Sequence, residues 1–118
     1  MSVSCPAPLA GLRIVDLTTG LAGPYCSKLL VDAGAEVIKV EPPGGDPMRR
    51  WSAFGGPIPG GRDSVFFAFL NAGKQSLVAD LSTDPGRRRL LGLLEEADVL
   101  LEDLEPGGLE GIGLDRRP

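Results

Sequence analysis

The chain has no histidine. Histidine-based triads and most transition-metal catalysis are therefore excluded within it. Acid–base or nucleophilic work would fall to carboxylates, Lys74, Tyr25, Cys26 or hydroxyls. The two cysteines, Cys5 in an N-terminal stretch expected to fray and Cys26 on a predicted helix, suggest neither a disulfide framework nor a zinc site. The more informative residues are those that could hold an anion. In TTGLAGP, Gly20 and Gly23 occupy the last two glycine positions of a G-x-G-x-x-G dinucleotide fingerprint, with Thr18 where the first would stand. Glu41 sits where a ribose-binding carboxylate would lie. The same residues read equally well as a strand-to-helix turn with glycines for close packing. Lys74, in the turn NAGKQS, can meet a phosphate or carboxylate as a mobile point charge. Arg49 and Arg50 beside Trp51 could stack on an adenine and hold phosphates. Arg87, Arg88 and Arg89 near a helix start could add to an anion site. For each of these cations, solvation is the commoner fate.

The elements that must position these residues follow from the pattern of apolar runs. Leu12 to Glu41 reads as strand, glycine-bearing turn, helix and strand, a unit that binds nucleotides in many proteins. Pro24 suits the first helical position, Tyr25, Leu29, Leu30 and Ala33 fall on one face, and Gly34 suits the C-cap. Ala35–Glu41 is the second strand. Residues Pro42–Asp63, rich in Gly and Pro with one Trp and three Arg, form a long surface loop. Ser64–Leu70 is a short helix, Ser76–Leu81 a third strand. STDPG opens another helix, capped by Thr83 or Asp84 with Pro85 in its first turn, and burying Leu90, Leu91, Leu94 and Ala97. Its arginines lie near its start and Glu95 and Glu96 near its end. That opposes the helix dipole at a few tenths of a kcal/mol per exposed charge. Asp98–Asp103 is a fourth strand and Pro106–Gly113 a short helix or turn. This alternation predicts an α/β fold with a parallel sheet and flanking helices. In such sheets ligands bind beyond the carboxyl ends of the strands. The segments after Asp16, Glu41, Leu81 and Asp103 would share that edge.

A length of 118 residues suits one domain with its own core. The net charge of −4 argues against a general nucleic-acid binder. No run approaches the roughly 20 apolar residues of a membrane span, and the start lacks a signal-peptide layout. The expectation is a soluble cytoplasmic protein with no membrane or nucleic-acid partner.

The stretch PLAGLRIVDLTTGLAGPYCSKLLVDAGAEVIKVEPPGGDPMRRW closely resembles the opening of the class III CoA-transferases, the formyl-CoA and carnitine CoA-transferase type, whose fold the α-methylacyl-CoA racemases share. The likeness continues through NAGKQSLVADLSTDPGRRRLL and EEADVLLEDLEPGGLEGIGL. The resemblance implies a Rossmann-like domain over residues 1–118, incomplete relative to the family's domain. It further implies interlocked homodimers and coenzyme A or acyl-CoA as substrate, with no covalently bound cofactor. It implies that Gly20, Leu21 and Ala22 lie against the coenzyme, with Lys74, with Ala79, Asp80, Leu81 and Ser82, and with Asp103, Leu104 and Glu105. Three departures weaken the match: Gln75 replaces a usual Arg, Asp103–Leu104 an Asn–Phe pair, and Gly111 another Arg. Each lost charge-assisted contact would be worth about 1.5–3 kcal/mol. The family's nucleophile is an aspartate that forms an acyl-aspartyl anhydride and then an aspartyl thioester. No residue here matches it. The expectation is an N-terminal CoA-binding portion, inactive alone. Alternatives are a racemase fragment, a non-catalytic module that has lost CoA affinity, and a dinucleotide-binding domain. An uncovered sheet edge would favour self-association.

Overall fold

The computed structural model describes residues 6–114; Cys5 lies outside them. The apolar runs become four strands: β1 (Arg13–Asp16), β2 (Glu36–Glu41), β3 (Gln75–Val78) and β4 (Val99–Leu101). The helices are α1 (Ala22–Asp32), α2 (Val65–Leu70), α3 (Asp84–Glu95) and α4 (Gly108–Gly111). The sheet is parallel throughout, in the order β3-β2-β1-β4. Val15 on β1 stands opposite Ile38 of β2 and Leu100 of β4.

β1 and β2 are central, which is why they carry apolar residues on both faces. On one face Val15, Leu17, Val40 and Ala79 pack with Leu90, and Leu93, Leu94 and Ala97 extend this layer. On the other, Ile14, Ala35 and Val37 meet Leu9, Leu12, Leu30 and Val31. Helix α3 thus covers one face and α1 the other.

Two buried stripes differ from the sequence expectation. In α1 the buried residues are Pro24 and Ser27, with Leu30 and Val31 behind them, whereas Tyr25 and Leu29 are half exposed. Small groups decide the rotation. Gly23 lies so close to Thr18 that a Cβ there would collide with its side chain, and the Ser27 hydroxyl reaches Asp16. Those contacts turn the large side chains outward. In α3, Leu91 is exposed and Leu93 takes its place in the core. Here Gly86 packs against the Asp80 carbonyl, leaving no room for a Cβ, and the buried line runs Gly86, Leu90, Leu93/Leu94, Ala97.

The caps follow the sequence. Thr83 accepts the Gly86 N–H at 3.2 Å and Ser64 accepts that of Phe67 at 3.0 Å. Gly34 takes φ +106° just past α1, the left-handed conformation that ends helices. The long loop after β2 is less irregular than its composition suggests. Pro47–Arg50 form a 3₁₀ turn whose cap, Asp46, accepts the Met48 N–H at 2.8 Å. Among the described residues no helix is long and apolar enough to cross a membrane.

Candidate functional site

The strand order creates one special place on the carboxyl edge. From β1 the chain proceeds to β2 and β3 on one side, then returns to place β4 on the other. The β1/β4 boundary is therefore a topological switch point, the place where open parallel sheets commonly offer a ligand crevice. The loop leaving β1 and the segment leaving β4 meet there, the Thr19 N–H donating to Asp103 Oδ2 at 3.1 Å. Gly20 adopts φ +78°, with open space where a Cβ would stand. Leu21 and Ala22 are exposed, and no side chain caps the start of α1. On the β4 side the Leu104 N–H donates to Glu102 at 2.8 Å, and Glu105 and Asp103 are exposed. Leu104, Glu105, Pro106, Gly107, Leu109 and Glu110 line a recess of about 360 Å³.

Beneath this loop lies a buried polar network. Asp16, fully buried at the end of β1, accepts the Thr18 N–H at 2.7 Å, the Thr18 hydroxyl at 2.5 Å and the Ser27 hydroxyl at 2.5 Å. Lys74 Nζ lies 3.4 Å from the Asp16 carboxylate and donates to Pro24 O at 3.0 Å and Asn71 Oδ1 at 2.9 Å. Burial pushes the Lys74 ammonium below the usual lysine range, the charge of Asp16 opposing that shift in part. Lys39 Nζ donates to Thr18 O at 2.9 Å and lies 2.9 Å from Asp46 Oδ2. Asp46 in turn donates its backbone N–H to Glu41 at 2.8 Å.

Glu41 closes the network. Arg49 grips it with Nε at 2.8 Å and Nη2 at 2.7 Å, and the Ser76 hydroxyl donates to the same carboxylate. These bonds, Arg49 first, outweigh burial and hold Glu41 at a pKa of about 2. Glu41 in turn raises the Arg49 pKa. Arg49 also pairs with Asp63 at 2.8 Å and stacks over Phe67 at 4.0 Å.

Several sequence expectations change on this geometry. Glu41 is buried and saturated by Arg49, so it is not a ribose-binding carboxylate. Arg49 is an internal clamp on Glu41, so its guanidinium is not offered to a phosphate. Thr18 is buried against Asp16. The geometric basis for a dinucleotide fingerprint is thereby removed. Arg87 donates to the carbonyls of Leu81 and Ser82, each at 3.0 Å, and Arg89 to that of Val78 at 3.1 Å. These arginines satisfy the carboxyl end of β3, which offsets their unfavourable place on the helix dipole; they do not gather into an anion site.

The β1 loop and the β4 segment are thus joined by the Thr19–Asp103 contact, while the recess beside it is lined by Leu104 and Glu105 and not by Gly20, Leu21 or Ala22. Ala79, Asp80, Leu81 and Ser82 share the same edge but leave β3, on the far side of β2. There Asp80 accepts the Ser82 N–H at 3.0 Å and its hydroxyl at 2.6 Å, bonds that lower its pKa. Lys74 is neither in the crevice nor in solvent; its side chain is 1% exposed. Sequence reasoning missed Asp16, Ser27, Lys39 and Asp46. The signal available was Lys39 itself, a cation inside an apolar central strand, which must find a buried partner.

The model of CoA-transferase family III matches residues 9–118. The chain belongs to CoA-transferase family III. Among its relatives, this family III chain is 43% identical over 116 residues to a probable fatty acyl-CoA transferase, Rv3272, of Mycobacterium tuberculosis, an alignment covering 97% of the chain and 29% of the relative. It is 46% identical over 105 residues to the succinyl-CoA:mesaconate CoA-transferase of Haloarcula hispanica, covering 86% of the chain and 26% of that protein. A crystal structure of a CAIB/BAIF family protein from Brucella suis superposes with a TM-score of 0.83 at 44% identity, over 92% of this chain and 29% of that one. The chain therefore spans under a third of the length of these relatives.

Proposed function

We propose that this chain is the coenzyme A-holding portion of a CoA-transferase acting on acyl-CoA thioesters. One observation carries the reading: in a chain of this family, the exposed Gly20–Ala22 loop and the Asp103–Glu105 segment meet at the β1/β4 switch point. The coenzyme would lie across them, using main-chain groups of the loop and the uncapped start of α1, whose N–H groups favour an anion. Ala79–Ser82 would extend the contact along the edge. The nucleophilic carboxylate is assigned outside residues 1–118, because Asp16, Glu41 and Asp46 are buried and engaged, Asp80 is held by the N–H and hydroxyl of Ser82, and Asp103 by the N–H of Thr19. A homodimer, or pairing with the remainder of a longer protein, would cover the exposed β4 edge and the apolar faces left by Leu21, Tyr25 and Leu29.

Isothermal calorimetry with coenzyme A tests the binding claim: micromolar binding is expected, and no detectable heat of binding would reject it. A transferase assay with several acyl-CoA donors tests the second part; robust turnover by residues 1–118 alone would overturn the placement of the chemistry elsewhere. A second reading, a module without coenzyme affinity, is favoured by the carboxylates of Asp103 and Glu105 at the crevice together with Gln75 and Gly111. Under that reading Asp103→Asn restores binding that the unaltered chain lacks.

A further inference from the structure

Two buried ammonium groups hold carbonyls on either side of the loop at the switch point, one just before it and one in the first turn of α1, where the Ser27 hydroxyl also reaches the same carbonyl. Lys39 donates to the Thr18 carbonyl at 2.9 Å and Lys74 to the Pro24 carbonyl at 3.0 Å. Their side chains are 2% and 1% exposed. They come from different elements, Lys39 from within β2 and Lys74 from the turn before β3, and each is neutralised by its own carboxylate, Asp46 and Asp16 respectively. Between the two held carbonyls, Thr19, Leu21 and Ala22 remain exposed.

Stability alone does not account for this arrangement. The desolvation of a buried ion pair offsets most of its Coulombic gain, and well-packed apolar side chains often serve as well or better. What a lysine does that a leucine cannot is fix a carbonyl, and hence the orientation of the adjoining peptide groups. A loop that binds through its main chain gains affinity when that orientation is set in advance.

We infer that Lys39 and Lys74 are positioning residues for the coenzyme loop, acting through the Thr18 and Pro24 carbonyls without touching the ligand. The inference rests on the reading of Gly20–Ala22 as the coenzyme A loop. It replaces the phosphate contact read from the turn NAGKQS and the coenzyme contact that the resemblance implied for Lys74. To reach a phosphate, Lys74 would have to leave Asp16, Asn71 and Pro24 together.

The test is the paired substitution Asp16→Asn with Lys74→Met in the full chain, which removes both charges and keeps an acceptor for Thr18. Coenzyme A binding is measured by calorimetry, and the backbone amide spectrum is recorded before any ligand is added. The expected result is binding weakened tenfold or more, with the Gly20, Leu21 and Ala22 amides displaced or broadened in the ligand-free protein and cooperative urea unfolding retained. Binding within twofold of the unaltered chain would overturn the inference. So would weakened binding with those three amides unmoved, which would mean that Lys74 touches the ligand. If the unaltered chain fails to bind coenzyme A, the coenzyme reading fails, while the amide spectrum still decides whether the lysines hold the loop. Should the paired variant not fold, reductive methylation of the unaltered chain decides: Lys28 should react while Lys39 and Lys74 stay protected with and without coenzyme A. A Lys74 as reactive as Lys28, or protected only when coenzyme A is present, contradicts the inference.

Discussion

The loops leaving β1 and β2 are neighbours on one sheet edge, and both are rich in glycine, yet they are built differently. The turn after β1 rests on buried charge. Asp16, Lys39 and Lys74 hold its ends, and its tip is short and exposed at the switch point. The loop after β2 is held at its start by Asp46 and the Glu41–Arg49 pair and at its far end by the Arg49–Asp63 pair and the Ser64 hydroxyl on the Met48 carbonyl. Between Arg50 and Asp63 it runs over the surface, with Phe54 98% exposed, and together with the start of α2 borders an open recess of about 320 Å³ lined by Trp51, Phe54, Ile58 and Phe66. Glycine content therefore does not distinguish the two loops; the length of chain left unheld between their buried polar contacts does.

The contrast can be broken most severely at Asp16. Asp16→Ala removes the acceptor of Thr18 and Ser27 and leaves Lys74 buried without its counter-charge. A loss of about 3–5 kcal/mol is expected, measured by urea unfolding.

The Glu41–Arg49 clamp gives a pH signature. The folded Glu41 pKa, about 2, lies below its usual 4.5. The carboxylate form is thus favoured by folding, and the unfolded chain binds the proton more readily. The resulting stability, up to about 3 kcal/mol, is fully present above the unfolded pKa and is lost as pH falls toward 2. Urea midpoints between pH 6 and 2 should fall more steeply for the unaltered chain than for Glu41→Gln; equal slopes would remove Glu41 as the cause.

Glycines sharpen the comparison at smaller scale. Gly23→Ala forces a Cβ into Thr18, whereas a Cβ at Gly60 meets nothing and no unusual φ is needed there. The first should cost about 1–3 kcal/mol by overpacking and weaken coenzyme binding. Gly60→Ala should stay within about 0.5 kcal/mol and leave binding unchanged. Both can be read from thermal melts and calorimetry. The smallest effect is expected for Phe54→Ser, also within about 0.5 kcal/mol by the same melts, since that ring is already in solvent.

The parallel α/β sheet was legible from the residues because apolar runs of strand length alternate with capped helical stretches. Gly34, Ser64, Thr83 and Pro85 marked helix ends closely, whereas α1 begins at Ala22, two residues before the Pro24 expected at its first position. The rotation of each helix was not legible. Counting large apolar residues favoured Tyr25, Leu29 and Leu91, while the packing is set by close approaches at Gly23 and Gly86, which a periodicity of large side chains does not register. The placement of the Gly20 loop and of the segment after β4 on one carboxyl edge followed from topology. The roles of Lys74, Glu41 and Arg49 did not. A charged residue beside a turn reads as solvent-facing until the fold brings a buried partner to it, and for Lys74 that partner, Asp16, lies 58 residues away in sequence.

The central claim is that the switch-point crevice, and not the recess in the β2 loop, holds coenzyme A. Titrating coenzyme A into the ¹⁵N-labelled chain tests it most directly. The account predicts saturable shifts at the amides of Gly20, Leu21, Ala22, Asp103, Leu104 and Glu105, with residues from Phe54 to Gly60 unmoved. Shifts confined to the Trp51–Phe66 region, or none at millimolar coenzyme A, would contradict it.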